Sequence, residues 1–159
     1  MSSAFEESIV VGEFLRKEGH EFGVTTGRPR RCGWFDLPAM KYTAMVNGYT
    51  AVAMTKLDIL DKMDEVKIGV SYMKDGLRME SYPSSVKQFE RIEVEYITCP
   101  GWKTCIADVR RFEDLPLNCQ HYILIVESML GLPIRWIGVG PSRDAIILRE
   151  SFGFMWKQG

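Results

Sequence analysis

The run Tyr49-Thr50-Ala51-Val52-Ala53-Met54 carries no charge and leads directly into Thr55-Lys56-Leu57-Asp58. A short, β-prone, uncharged stretch is the pattern of a strand covered on both faces of a parallel sheet. Lys56 and Asp58 then fall just past the strand's C-terminal end, where open α/β sheets bind ligands. One such strand constrains the rest of the chain, which must supply helices to cover it.

The flanking patterns meet that demand. Residues 5–17 have mixed helical spacing and predict a helix leading into a basic loop. Asp36 and Pro38 form a helix start, residues 39–47 the helix, and Gly48 its stop. Residues 65–72 and 77–82 alternate about Met73-Lys74-Asp75-Gly76, where Asp-Gly signals a hairpin. Residues 91–98 set Ile92, Val94 and Tyr96 against Glu93 and Glu95, a strand with one wet face. Residues 117–130 predict a helix stopped by Gly131, with Pro133 after it, and residues 134–137 a last strand leading into Gly138. The alternation of helix and strand predicts an α/β fold, part of a mainly parallel sheet with flanking helices and an antiparallel hairpin excursion.

The 20 basic and 21 acidic side chains nearly cancel, so no general field draws in nucleic acid or an anionic membrane and any anion binding is local. Cys32, Cys99, Cys105 and Cys119 form no C-x-x-C pair and only His20 and His121 could join them, which argues for reduced, mostly buried thiols and against a metal site. Glu6 and Glu7 stand where a secretory signal needs a basic start, and no uncharged stretch is long enough to span a bilayer. A soluble cytoplasmic protein is the expectation.

Local anion binding has one clear candidate, the stretch from Gly19 through Thr25-Thr26-Gly27-Arg28-Pro29-Arg30-Arg31 to Trp34. Guanidiniums grip carboxylate or phosphate bidentately, and hydroxyls and glycine-exposed N–H groups complete the set. Gly27 admits close approach and Pro29 stiffens the turn. Taken alone, an arginine cluster is more often a solvated loop.

Thr55-Lys56-Leu57-Asp58 has a guanine-reading mechanism. A strand-end aspartate accepts from the ring N–H and exocyclic amine of guanine together, a donor pair that adenine lacks. A lysine two residues earlier in an extended segment points the same way and lays its stem over the purine. The plainer reading is an exposed Lys56–Asp58 ion pair. Gly138-Val139-Gly140-Pro141 is by itself only a turn whose backbone could wrap a base edge or ribose. Trp34 and Trp102 suit packing under loops, and Asp61, Asp64 and Glu65 a solvated acidic turn.

The stretch 21–36, Thr55-Lys56-Leu57-Asp58, Pro100-Gly101-Trp102 and Gly138-Val139-Gly140-Pro141 together resemble the adenylosuccinate synthetase family, in its order and spacing, over roughly residues 12–148. The resemblance implies a P-loop-related α/β fold in which residues 1–159 form a single C-terminal segment, with the phosphate-binding and catalytic part elsewhere. No Gly-Asp-Glu-Gly-Lys-type loop, catalytic Asp or catalytic His of the family is matched here, so the resemblance implies no catalytic or metal residue in this chain.

It also implies a reaction. The family joins IMP to L-aspartate with GTP and Mg2+, giving adenylosuccinate, GDP and phosphate in AMP biosynthesis, as a homodimer. Val24, Thr25, Thr26, Gly27, Arg28, Pro29 and Arg30 correspond to its aspartate loop, with Arg28 also at IMP and Arg30 near GTP. Lys56, Leu57, Asp58, Gly138, Val139 and Gly140 correspond to its GTP contacts. Pro29 replaces a residue that is often basic, and Gly138 one that is often Ser in bacterial members. Two alternatives stand beside an adenylosuccinate synthetase fragment: a non-catalytic guanine-nucleotide-binding module and a non-functional remnant.

Overall fold

The computed structural model describes residues 3–79, 82–89 and 92–149. In chain order the elements are α1 (Ser3–Glu18), β1 (Phe35–Asp36), α2 (Leu37–Asn47), β2 (Val52–Met54), β3 (Glu65–Lys74), β4 (Leu77–Arg78), α3 (Val86–Phe89), β5 (Glu93–Pro100), α4 (Leu117–Leu130), β6 (Ile134–Gly138) and β7 (Ile146–Leu148). Single 3-10 turns at Asp58–Leu60 and Phe112–Asp114 complete them. The α/β class expected from the sequence is present. Parallel order is limited to β1 beside β3 and β2 beside β6, in two separate sheets; β4 and β5 pair antiparallel with β3, and β7 antiparallel with β6.

The punctuation residues act as their chemistry dictates. The Asp36 carboxylate accepts from the Ala39 amide at 3.0 Å and caps α2, whose first turn carries Pro38, and Gly48 closes it at φ 66°. Asp75 (φ 52°) and Gly76 (φ 78°) are both left-handed, the requirement of a tight two-residue hairpin between β3 and β4. α4 ends at Gly131, φ 74°.

Two strand expectations are corrected. Of residues 49–54 only Val52–Met54 is strand, because the Gly48 and Tyr49 amides both donate back to Ala44 and the exit from α2 uses the next residues. Val52 and Met54 are buried but Ala53 is exposed, so β2 is covered on one face, not two. In β5 the core-facing side chains are Ile97 and Cys99, paired with Ile68 and Val66, while Tyr96 is 44% exposed opposite Gly69. An irregularity between Gly69 and Ser71 changes the register there, which displaces the expected 92-94-96 phase. Of the segment 77–82 only Leu77–Arg78 pairs, and residues 80 and 81, like Arg91, lie outside the described residues.

A single core joins the two sheets. α4 buries Cys119, Tyr122, Ile123, Val126 and Leu130 along one stripe, against a core that takes Val66 and Ile68 from β3 and Ile134, Ile137 and Ile147 from the second sheet. All four cysteines are free, Cys99 and Cys119 buried, Cys32 half-buried and Cys105 exposed. No helix of the described residues is long and apolar enough to cross a membrane.

Candidate functional site

Parallel pairing of β2 with β6, Met54 beside Ile137, brings both strands' C-terminal ends to one rim. The segments that follow, Thr55 to Asp58 and Gly138 to Gly140, are therefore neighbours there. The Leu57 amide donates to the Gly138 carbonyl at 3.3 Å, and a Cβ on Gly138 would lie 3.2 Å from Thr55 Cα. A side chain there would be met by Thr55, which would have to give by a few tenths of an ångström.

Lys56 does not continue the strand. Its φ of 62° turns the chain into the 3-10 turn that Asp58 begins, so the expectation that Lys56 and Asp58 point alike from an extended segment is corrected. The Lys56 ammonium goes the other way, to the Gly19 carbonyl at 2.6 Å and to Glu21 Oε1 at 2.5 Å. The plain Lys56–Asp58 ion pair is thus absent. Asp58 is half-buried, and among the described residues no hydrogen bond or ion pair engages its carboxylate.

The basic loop closes on itself as a small hairpin. Phe22 pairs antiparallel with Pro29, the Gly23 amide donates to Arg28 O at 2.8 Å, the Gly27 amide to Gly23 O at 2.8 Å and the Arg30 amide to Glu21 O at 3.0 Å. The Arg28 amide donates to Thr26 Oγ1 at 3.3 Å. These N–H groups, expected to face a ligand, are engaged within the loop instead. Gly27 is there for its φ of 65°. Val24, Thr25, Thr26 and Arg28 are exposed at the tip, and among the described residues no bond ties the side chains of Thr25 or Arg28 to Lys56 or Asp58.

What does join loop to rim is Glu21. Its Oε2 accepts from Arg30 Nη1 at 3.0 Å while its Oε1 holds Lys56. The lysine hydrogen bond, reinforced by Arg30 against a desolvation penalty, holds the Glu21 carboxyl below the usual glutamate range. A cleft of about 380 Å3 opens beside this triad, with Thr55, Trp34 and Tyr122 in its wall. A second cleft of about 420 Å3, between the end of β5 and α4, has Cys99, His121, Leu124 and Met129 in its wall and none of the expected site residues.

Other expected contacts are confined by burial. Leu57 is 2% exposed and Val139 fully buried, their amides donating to Gly138 and Ala145, so neither side chain reaches a ligand. Gly138 is buried as well, which leaves Gly140 the accessible residue of its turn. Asp61 is no solvated acid: Oδ1 accepts from Trp102 Nε1 at 2.8 Å and Oδ2 from the Ile106 amide at 3.1 Å. Trp102 therefore buttresses the segment after Asp58 from below. Asp64 pairs with Lys103.

Residues 2–147 match the profile of the family described as Adenylosuccinate synthetase. The chain belongs to the adenylosuccinate synthetase family. It is 53% identical over 140 residues to the adenylosuccinate synthetase of Coprinopsis cinerea, covering 88% of this chain and 33% of that protein. It is 48% identical to that of Paramecium tetraurelia, covering 87% and 32%. Among solved structures it is similar to fully ligated adenylosuccinate synthetase from Plasmodium falciparum, with TM-score 0.85, 40% identity, and coverage of 89% of this chain and 34% of that one. The chain thus spans about a third of the length of the curated relatives it matches. The β2–β6 rim and the basic hairpin both lie within the matched residues 2–147, and Glu21, which links them, stands at the head of the stretch 21–36.

Proposed function

We propose that this chain is the C-terminal portion of an adenylosuccinate synthetase, supplying guanine and aspartate/IMP recognition to the ligation of IMP and L-aspartate at the expense of GTP. The observation that carries the reading is the Asp58 carboxylate, left unengaged at the β2–β6 rim while Asp61 three residues on has both oxygens bonded. Such a carboxylate suits the two donors of guanine. Lys56, tied back to Gly19 and Glu21, offers its aliphatic stem, and Gly140 its backbone. Arg28 and the Thr25 and Thr26 hydroxyls, exposed at the loop tip, suit the carboxylates of aspartate and the phosphate of IMP, and Arg30 lies on the nucleotide side.

Among the described residues no group of three His, Cys, Asp or Glu could hold a metal ion. In this reading the base, the magnesium site and the phosphate cradle belong to the part of the family's length that the chain does not span, and the complete protein is a cytoplasmic homodimer. The bare apolar face of the second sheet, where Ala53, Trp136 and Leu148 lie in one exposed cross-strand row beside Ile146, supports a larger whole, because parallel strands are ordinarily covered on both faces.

Calorimetric titration of the chain with GDP and with ADP tests the reading. Binding of GDP in preference to ADP, lost in Asp58→Ala, is expected; equal binding of both, or GDP binding indifferent to Asp58, overturns the guanine assignment. Of the two alternatives, the binding module predicts tight nucleotide binding with no response to IMP or aspartate, and the remnant predicts no binding.

A further inference from the structure

Glu21 stands between two groups of opposite task and touches both. On one oxygen it holds Arg30 of the basic hairpin, on the other Lys56 of the rim, and its own backbone is fixed at both ends, the amide donating to Arg16 O at 2.9 Å and the carbonyl accepting from the Arg30 amide at 3.0 Å. Arg16 Nε donates in turn to Arg30 O at 2.7 Å, so the hairpin base is locked to α1. The Glu21 side chain is 21% exposed, against 59% for Arg30 and 47% for Lys56. The carboxylate is therefore the more enclosed partner and the cations the ones open to a ligand.

Lys56 keeps a left-handed backbone that non-glycine residues adopt rarely, and such conformations persist where surrounding contacts over-determine them. Here those contacts are the ammonium's bonds to Gly19 O and Glu21. The rim and the hairpin are thus joined side chain to side chain through one carboxylate.

We infer that Glu21 is a positioning residue that couples the guanine rim to the basic hairpin, so that filling the rim orders the hairpin and an anion on the hairpin tightens the rim. A ligand that fixes the Lys56 stem fixes the ammonium and, through Glu21, the direction in which Arg30 presents its remaining N–H groups. Coupling of this kind is reciprocal, and typical magnitudes are about 5- to 150-fold in affinity. Glu21 itself touches no substrate in this scheme. The ligand side of the inference rests on the nucleotide reading above; the mechanical link between Lys56 and the hairpin does not.

The test uses the whole chain and two arms. Without ligand, amide hydrogen exchange is read by NMR at Gly23, Gly27 and Arg30 in wild type, Glu21→Gln, Lys56→Met and the double variant, with Ile137 and Ile147 as remote controls. The expected result is a fall in hairpin protection of about fivefold in each single variant, unchanged controls, and no further fall in the double variant. A Lys56→Met chain with wild-type hairpin protection overturns the inference, and Lys56→Met alone decides it if Glu21→Gln fails to fold. With GDP added, wild-type hairpin amides gain protection, and in Glu21→Gln GDP still binds but the hairpin does not respond. GDP that binds wild type yet leaves its hairpin unchanged overturns the coupling. Wild type that binds no GDP removes the nucleotide reading instead, and the ligand-free arm still decides the link.

Discussion

The Leu57 amide N–H donates to the carbonyl of Gly138 at 3.3 Å across a sequence separation that no local pattern bridges. The bond fastens the turn after β2 to the end of β6 and fixes where Asp58, the next residue, can stand. It also removes both backbone groups from any ligand, so under the proposed function base selectivity at this rim would rest on the Asp58 side chain.

Asp58→Asn is accordingly expected to exchange guanine for xanthine preference. The amide oxygen no longer accepts both guanine donors while its NH2 suits the xanthine oxygen, and each mismatched buried group costs about 1–3 kcal/mol. Competition between GDP and XDP for the chain measures this; an unchanged ratio removes Asp58 from the base site.

Glu127 and Arg149 form the most enclosed ion pair among the described residues, 2.6 Å apart with side chains 11% and 16% exposed. Glu127 Oε1 also accepts from the Ile134 amide at 2.9 Å, so one side chain holds the start of β6 and the end of β7 together. Glu127→Ala takes the acceptor from the Ile134 amide and leaves the Arg149 guanidinium its stacking on Phe112 in place of the ion pair, and removing one member of such a pair costs about 3–5 kcal/mol. Urea denaturation should show that loss, with Glu127→Gln losing less because its carbonyl still accepts.

Gly101→Ala should be among the most damaging single-methyl changes. The added Cβ would lie 2.0 Å from the Met63 carbonyl oxygen, a backbone atom that cannot swing aside. Overpacking commonly costs about 1–3 kcal/mol, and this contact belongs at or above the upper end. Since Trp102 and Asp61 are the adjoining braces, the same variant should weaken GDP binding at the rim; thermal melts and titration of one preparation check both.

Acid should release the Glu21 bridge. Its carboxyl is held below the ordinary 4.5, first by the Lys56 hydrogen bond, so the contribution is fully present above pH 4.5 and is lost as pH falls through the lowered folded value. With both cations more than a third exposed, solvent screening limits that contribution to about 0.5–1 kcal/mol. The stability gap between wild type and Glu21→Gln should therefore be constant from pH 6 to 5 and close below pH 4.5. A gap that widens in acid contradicts the assigned pairing.

Punctuation and family are legible in the residues alone. Asp36, Gly48, Asp75, Gly76 and Gly131 fix caps and turns through their own backbone and side-chain chemistry, so their roles were legible without neighbours, and the motif order from the arginine loop to Gly140 marked the family. Only tertiary structure decided which partners the charged groups take. Lys56 and Asp58 are two residues apart and would have paired as local charges, but a left-handed Lys56 sends its ammonium to Gly19 and Glu21, residues brought near by α1 and the hairpin. Asp61 looked like a surface acid until Trp102 and Ile106 arrived from 41 and 45 residues away. Likewise the phase of β5 was set by its pairing with β3 across an irregular register. Local propensity is written residue by residue, whereas ion-pair choice, strand phase and burial depend on what the packed chain places alongside.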